Sequence, residues 1–168
     1  AKKGRRAIGW DDVLSGEPAI ETVIQNWREP EFGIRAAAKG HDVIVSPWLS
    51  TYFELPQGFV DNDPYTYLSP HRMLSLEKAY RFNPHDGMTE AAKSRVLGSE
   101  CCIWSECVWN IYDLEWMLFP RLCAFSEALW TAPGEPRDFA NFERRMAVHR
   151  ARLVAAGVNC APLRWNRK

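Results

Sequence analysis

Four short β-branched or apolar runs recur along this chain, at residues 5–10, 22–27, 42–46 and 96–104, with stretches of helical character between and after them. Residues 11–14 read as a turn or short helix, stopped by Ser15, Gly16 and Pro18. Residues 33–39 read as a helix closed by Gly40, and residues 75–80 as a short helix. Residues 113–129 carry apolar side chains at helical spacing, with Pro120 placed to kink them. Residues 138–156 form a final amphipathic helix, with Asp138 as N-cap and Gly157 at its end. Strand alternating with helix predicts a parallel α/β sheet. The Val43-Ile44-Val45 run is apolar without alternation, as a strand covered on both faces must be.

Two architectures compete for such an order. A doubly wound sheet binds its ligand at a glycine-rich phosphate loop, and no strand here is followed by one. The other is a (β/α)8 barrel, in which the chemistry sits at the C-terminal ends of the strands. Here those ends carry Trp10, Trp27, Tyr52 a few residues past the third strand, and Trp104-Ser105-Glu106. The first crossover, from Trp10 to Thr22, is short for a full helix. Four strands with their helices make half of such a barrel.

Composition narrows the partners. The 21 basic residues balance the 21 acidic ones, so the electrostatic footprint of a nucleic-acid or anionic-membrane ligand is missing. No apolar run reaches the length of a membrane span. The first ten residues carry charges with no apolar signal core after them. The five cysteines form no CxxC pair beside a histidine, so they read as small apolar core residues rather than a zinc set. The chain holds eight tryptophans, and Trp marks cores, interfaces and sugar-stacking surfaces. Trp109, Trp116, Trp130 and Trp165 are assigned to packing, while Trp48 divides evenly between lining a second substrate subsite and packing under the loop that follows it. That loop runs from Pro47 to about Pro70 and holds Tyr52, Phe53, Tyr65 and Tyr67; loops this long in compact domains usually have a function. His41 and His71 are read as loop or capping residues, His85 as turn chemistry, His149 as solvated, and Arg144-Arg145 as a solvated helix face.

Six segments, taken in order, resemble family 20 of the glycoside hydrolases, the β-N-acetylhexosaminidases. Ile8-Gly9-Trp10-Asp11-Asp12-Val13-Leu14 looks like the Gly-Trp-Asp-Glu motif. Asn26-Trp27-Arg28 resembles the Trp-Arg strand end, and residues 40–47, Gly-His-Asp-Val-Ile-Val-Ser-Pro, the next strand. Tyr52-Phe53-Glu54-Leu55-Pro56-Gln57 resembles the Tyr-Phe-Asp-x-x-Gln loop. Residues 98–106 resemble the last barrel strand, and Phe119-Pro120-Arg121 with Ala128-Leu129-Trp130 the helix after it. The resemblance covers nearly all of residues 1–168. It implies an α/β fold that is the C-terminal half, strands 5–8 with their helices, of a TIM (β/α)8 barrel.

The resemblance also implies a chemistry. Enzymes of this family retain anomeric configuration without a protein nucleophile; the substrate's own acetamide attacks the anomeric carbon. Trp10, Trp27 and Trp104 would box the acetamide methyl group. Tyr52 would donate its phenol hydrogen to the acetamide oxygen and so orient the nucleophile. Glu54 and Glu106 would bind hydroxyls near O4 and O6. Position 54 is Glu where the family usually has Asp or Asn, which puts its hydroxyl contact in question. No metal or organic cofactor is implied. The expected partners are β-N-acetylhexosaminide sugars, with a secreted, periplasmic or lysosomal location by analogy.

Two family features are absent from these residues. The acid Glu and its Asp partner sit in a His-x-Gly-Gly-Asp-Glu context, which does not occur in this chain, nor does the family's sugar-binding Arg from the first strand. Asp11-Asp12 is an acidic pair in a different motif and is assigned to capping and structural hydrogen bonds. Four strands cannot close a barrel and leave sheet edges unpaired. The expectation is therefore that the N-terminal half, or a second copy of the chain, completes the fold. Two other classes stay open: a carbohydrate-binding half-barrel without hydrolysis, and a structural half-barrel with no sugar affinity.

Overall fold

The computed structural model describes residues 3–58, 63–65, 71–132 and 134–165. Tyr67 of the long loop lies outside the described residues. The chain divides into two compact units, Ala1–Trp48 with Asn83–Glu100, and Leu49–Phe82 with Cys101–Lys168.

The first unit is built on a parallel sheet of β1 (Ile8–Trp10), β2 (Val23–Asn26), β3 (Val43–Val45) and β4 (Val96–Ser99), in that spatial order. All three pairings are parallel, with Ile8 opposite Val23, Ile24 opposite Val43, and Val43 opposite Val96. Val23, Ile24, Val43 and Val45 are buried, as the unbroken apolar character of the two central strands requires. The register slips by one residue beyond Val43, where Ile44 faces Gly98 rather than Leu97. Gly98 has φ +151°, a backbone that a β-carbon would strain, and the extra residue Leu97 is left 58% exposed.

A 3-10 turn, Asp11–Gly16, links β1 to β2, which agrees with the short crossover expected. Helix α1 (Pro30–Ala38) begins three residues earlier than its sequence pattern suggests, because Pro30 is preset for the first helical turn. Gly33 on its buried face permits a close approach to β2, since a β-carbon there would stand 2.8 Å from Asn26 Oδ1. Short helix α4 (Glu90–Lys93), capped by the Thr89 side chain, packs against α1. His41 lies in the connection before β3, as a loop residue should, and it is buried with its ring Nδ1 3.1 Å from the Thr22 carbonyl. His85 sits in the expected turn, its N–H donating to Asn83 Oδ1 at 3.1 Å.

The second unit is helical. Helix α2 (Trp48–Thr51) leads into it, followed by α3 (Leu76–Arg81), α5 (Ile111–Leu118), α6 (Arg121–Trp130) and α7 (Phe139–Ala155). The single helix read over 113–129 is two helices. Pro120 has no N–H to continue α5, and α6 restarts at Arg121 beyond a cis Phe119–Pro120 bond. Asp138 caps α7 as predicted, accepting from the Asn141 N–H at 3.0 Å. The core joins α3, α6 and α7 through aromatic contacts: Phe82 stacks on Phe125 at 5.3 Å and Tyr80 on Phe142 at 4.7 Å. Trp116 meets Trp165 edge to face at 6.0 Å, in keeping with packing roles. Trp109 and Trp130 are not packing residues: they are 79% and 90% exposed. Arg145 is not merely solvated either; it chelates Glu127 from α7 to α6 at 2.6 and 2.8 Å.

Candidate functional site

In the first unit the site residues grow from the ends of β1 and β2. Trp10 is the last residue of β1, and Trp27 follows Asn26, the last residue of β2. Parallel pairing therefore sets both indoles at the same end of the sheet. Asp11, next after Trp10, is fully buried. Its carboxylate accepts from Asn26 Nδ2 at 2.8 Å, from the Trp27 N–H at 3.0 Å, and from Arg28 N–H and Nε at 3.2 and 2.6 Å. Arg28 also donates to the Asp11 carbonyl at 3.0 Å and lies over the Phe32 ring. A buried carboxylate needs such a set of donors to offset its lost hydration. Asp11 thus ties the two strand ends together, the structural role its motif suggested. Asp12 accepts from Trp27 Nε1 at 2.8 Å.

In the second unit Tyr52 is buried and pairs with Cys102 in a parallel bridge, framed by Phe53 N–H to the Cys102 carbonyl at 2.8 Å and Cys102 N–H to the Thr51 carbonyl at 3.0 Å. The fourth strand proper stops at Ser99, five residues short of the sequence reading, and Trp104 stands beyond this single bridge. The bridge brings the Tyr52 and Trp104 rings to 6.0 Å, tilted by 54°, with Trp104 41% exposed. Glu106 follows on the exposed 3-10 turn Ser105–Cys107.

Glu54 is half-buried, with Oε2 buried and unpartnered by any hydrogen bond among the described residues. Burial pushes its carboxyl up to about 7; Arg121 pulls the other way, and the Glu106 charge adds to the rise. Burial, then Glu54 and Glu106, likewise raise the Cys107 thiol, so these three acidic groups share one neighbourhood. Between the ordinary value of 4.5 and about 7, folded Glu54 keeps a proton that the unfolded chain has lost. Its contribution to stability is full below that window and disappears as pH rises through it, on the order of 2 kcal/mol. Urea midpoints compared at about pH 5 and about pH 8 should differ less for Glu54→Gln than for the native chain, and an equal difference in both would remove Glu54 as the cause.

Sequence reasoning gave no role to two side chains that shape this region. Arg121, in the first turn of α6, is completely buried. Its Nη1 donates to the carbonyls of Leu55 at 2.7 Å and Leu74 at 3.1 Å; its Nη2 donates to those of Phe53 and, at 2.6 Å, Met117. The carbonyls on both sides of Glu54 are thereby fixed. Gln57 is also buried, donating from Nε2 to the Trp116 carbonyl, while Asp63 accepts from the Gln57 and Gly58 N–H groups at 2.6 and 3.0 Å. The sequence signal for both was their place in the motifs, Gln57 closing Tyr52–Gln57 and Arg121 closing Phe119-Pro120-Arg121.

A cleft of ≈ 210 Å³ along α1, lined by Leu14, Arg28, Phe32 and Lys39 among others, holds none of the six expected sugar-binding residues except as neighbours in sequence. Among the described residues no group of three or more His, Cys, Asp or Glu is placed to hold a metal ion, and no helix is long and apolar enough to cross a membrane.

The sequence model of glycosyl hydrolase family 20, catalytic domain, matches residues 1–133. A beta-hexosaminidase of Porphyromonas gingivalis is 35% identical over 160 residues, 94% of this chain and 20% of that protein. One of Vibrio furnissii is 31% identical over 133 residues, 73% of this chain and 20% of that protein. The chain thus spans about a fifth of the length of these relatives. Among solved structures, a GH20 exo beta-N-acetylglucosaminidase from Vibrio harveyi, in complex with N-acetylglucosamine, superposes with a TM-score of 0.81 at 30% identity, over 98% of this chain and 26% of that one. The GH20 beta-N-acetylhexosaminidase of Streptomyces coelicolor gives a TM-score of 0.80 at 24% identity, over 95% of this chain and 33% of its own, a likeness of fold. This chain belongs to glycosyl hydrolase family 20, and its parallel sheet with the accompanying helices is part of a TIM (β/α)8 barrel.

Proposed function

We propose that the complete protein is a β-N-acetylhexosaminidase that removes terminal β-linked N-acetylglucosamine or N-acetylgalactosamine by substrate-assisted retaining catalysis. Residues 1–168 supply the side of the site that holds the sugar. Trp10, Trp27 and Trp104 wall the acetamide methyl group, Tyr52 donates to the acetamide oxygen, and Glu54 and Glu106 take sugar hydroxyls. The acid Glu and its Asp partner come from the N-terminal half of the barrel. The observation that carries this reading is the Tyr52–Trp104 pair, a phenol and a part-exposed indole 6.0 Å apart, with Glu54 and Glu106 in one electrostatic neighbourhood. An indole face suits the apolar C–H face of a sugar, and a carboxyl accepts from or donates to its hydroxyls.

The sheet itself favours completion by further strands. Its two outer strands present Ile8 and Leu97 at 60% and 58% exposure, apolar surface that a closed barrel would cover. Alone, residues 1–168 are expected to turn over no chromogenic N-acetylhexosaminide, whereas co-expression with an N-terminal half bearing the Asp-Glu pair restores release of the chromophore. Turnover by residues 1–168 alone would overturn the assignment of the acid. The missing acid also favours one second reading, a polypeptide that binds N-acetylglucosamine without cleaving it. Calorimetric binding by the assembled barrel with no turnover would select that reading.

A further inference from the structure

We propose that Asp12 is a positioning residue for sugar recognition, holding the Trp27 indole in the orientation that walls the acetamide pocket; the inference rests on the sugar-binding role proposed above for Trp27. Trp27 is gripped twice by consecutive carboxylates. Asp11 Oδ2 accepts its main-chain N–H at 3.0 Å, and Asp12 Oδ2 accepts its indole Nε1–H at 2.8 Å. The 3-10 turn that follows β1 makes this possible. Successive side chains in such a turn diverge by about 120°. Asp11 therefore points inward, fully buried, while Asp12 stays on the exposed side. The turn is held by Ser15 Oγ donating to the Asp12 carbonyl at 2.8 Å.

The two contacts do different things. The Asp11 bond fixes where the Trp27 backbone leaves β2, and a backbone bond leaves the ring free to turn about its side-chain torsions. The Asp12 bond acts on the ring alone. A charged acceptor at an indole N–H is among the stronger hydrogen bonds a side chain can make, and it selects one ring flip out of the alternatives. A wall held in one pose binds without first losing that freedom, which is how preorganisation raises affinity.

The test is a double-mutant cycle on the assembled protein, read by calorimetry with N-acetylglucosamine and by hydrogen exchange of the Trp27 indole N–H in NMR, the resonance assigned by its loss in Trp27→Phe. Asp12→Ala should weaken sugar affinity by about 3- to 10-fold, leave the melting temperature nearly unchanged, and speed indole exchange. Asp12→Asn, which keeps an acceptor oxygen, should recover most of both. In a Trp27→Phe background, where no indole N–H exists, Asp12→Ala should have no further effect on affinity. Unchanged affinity and exchange in Asp12→Ala, or an equal loss in the Phe background, would overturn the proposal. A native protein that binds no sugar, yet shows Asp12-dependent indole exchange, would instead overturn the functional reading and leave the positioning bond supported.

Discussion

Replacing Arg121 by Met is expected to cost about 3 kcal/mol or more of folding stability, at the upper end of what single substitutions do. The reason lies in the carbonyls, not the charge. Burial pulls the Arg121 guanidinium down to about 9, which means the charged form is disfavoured by its surroundings. No carboxylate lies within ion-pair distance of it among the described residues. The Asp63 and Glu54 charges offset part of the burial from a distance, and the direct partners are four carbonyls that accept from it, those of Phe53, Leu55, Leu74 and Met117. Met restores volume and removes the buried charge, but it leaves those four acceptors in an apolar interior with no donor. Each unpaired carbonyl costs about 1 kcal/mol or more, so the sum exceeds the desolvation relieved. Urea unfolding of the variant should show a clearly lower midpoint at unchanged slope. A native-like midpoint would mean that the four carbonyls find other donors.

The largest effect on activity is expected from Tyr52→Phe. In the assembled enzyme this change should lower kcat by about 100- to 1,000-fold, the range for deleting one well-placed donor at a developing charge. Tyr52 is 8% exposed and packs on Trp104, and Phe preserves that ring contact, so unfolding midpoints should stay close to native. On the proposed substrate-assisted mechanism the effect should fall on kcat more than on KM, because orienting the acetamide oxygen matters most as it attacks. Full activity in Tyr52→Phe would remove this phenol from the mechanism. A matching loss of stability would recast it as a packing residue.

Most of the fold was legible in the sequence. Strand positions followed from apolar runs punctuated by Gly and Pro, and a cap such as Asp138 from its place ahead of an amphipathic stretch. These are local signals, set by residues two to four positions apart, and they survive without tertiary context. The strand-end aromatics Trp10 and Trp27 were legible for the same reason: a residue at the end of a parallel strand is placed by the strand itself.

Elsewhere a distant group decided. Apolar residues at 101–104 extend the strand pattern to Trp104, but a strand needs a partner along its length, and past Ser99 the described pairing is one bridge to Tyr52. Tryptophan is costly to expose, which favours packing roles for Trp109 and Trp130, yet both rings stand mostly in solvent. In sequence Arg121 stands inside the helix read over 113–129, with no role attached. Only the fold shows that carbonyls 66 and 68 residues away converge on it. The same holds for Glu54, whose carboxyl is raised by burial that no local pattern announces. Sequence by itself determined the order of strands and helices, the family and the residue types at the strand ends, because short-range periodicity and motif order encode them. The tertiary structure alone decided which polar groups are buried and what meets them, because burial and hydrogen bonding between remote segments exist only once the chain has closed around them.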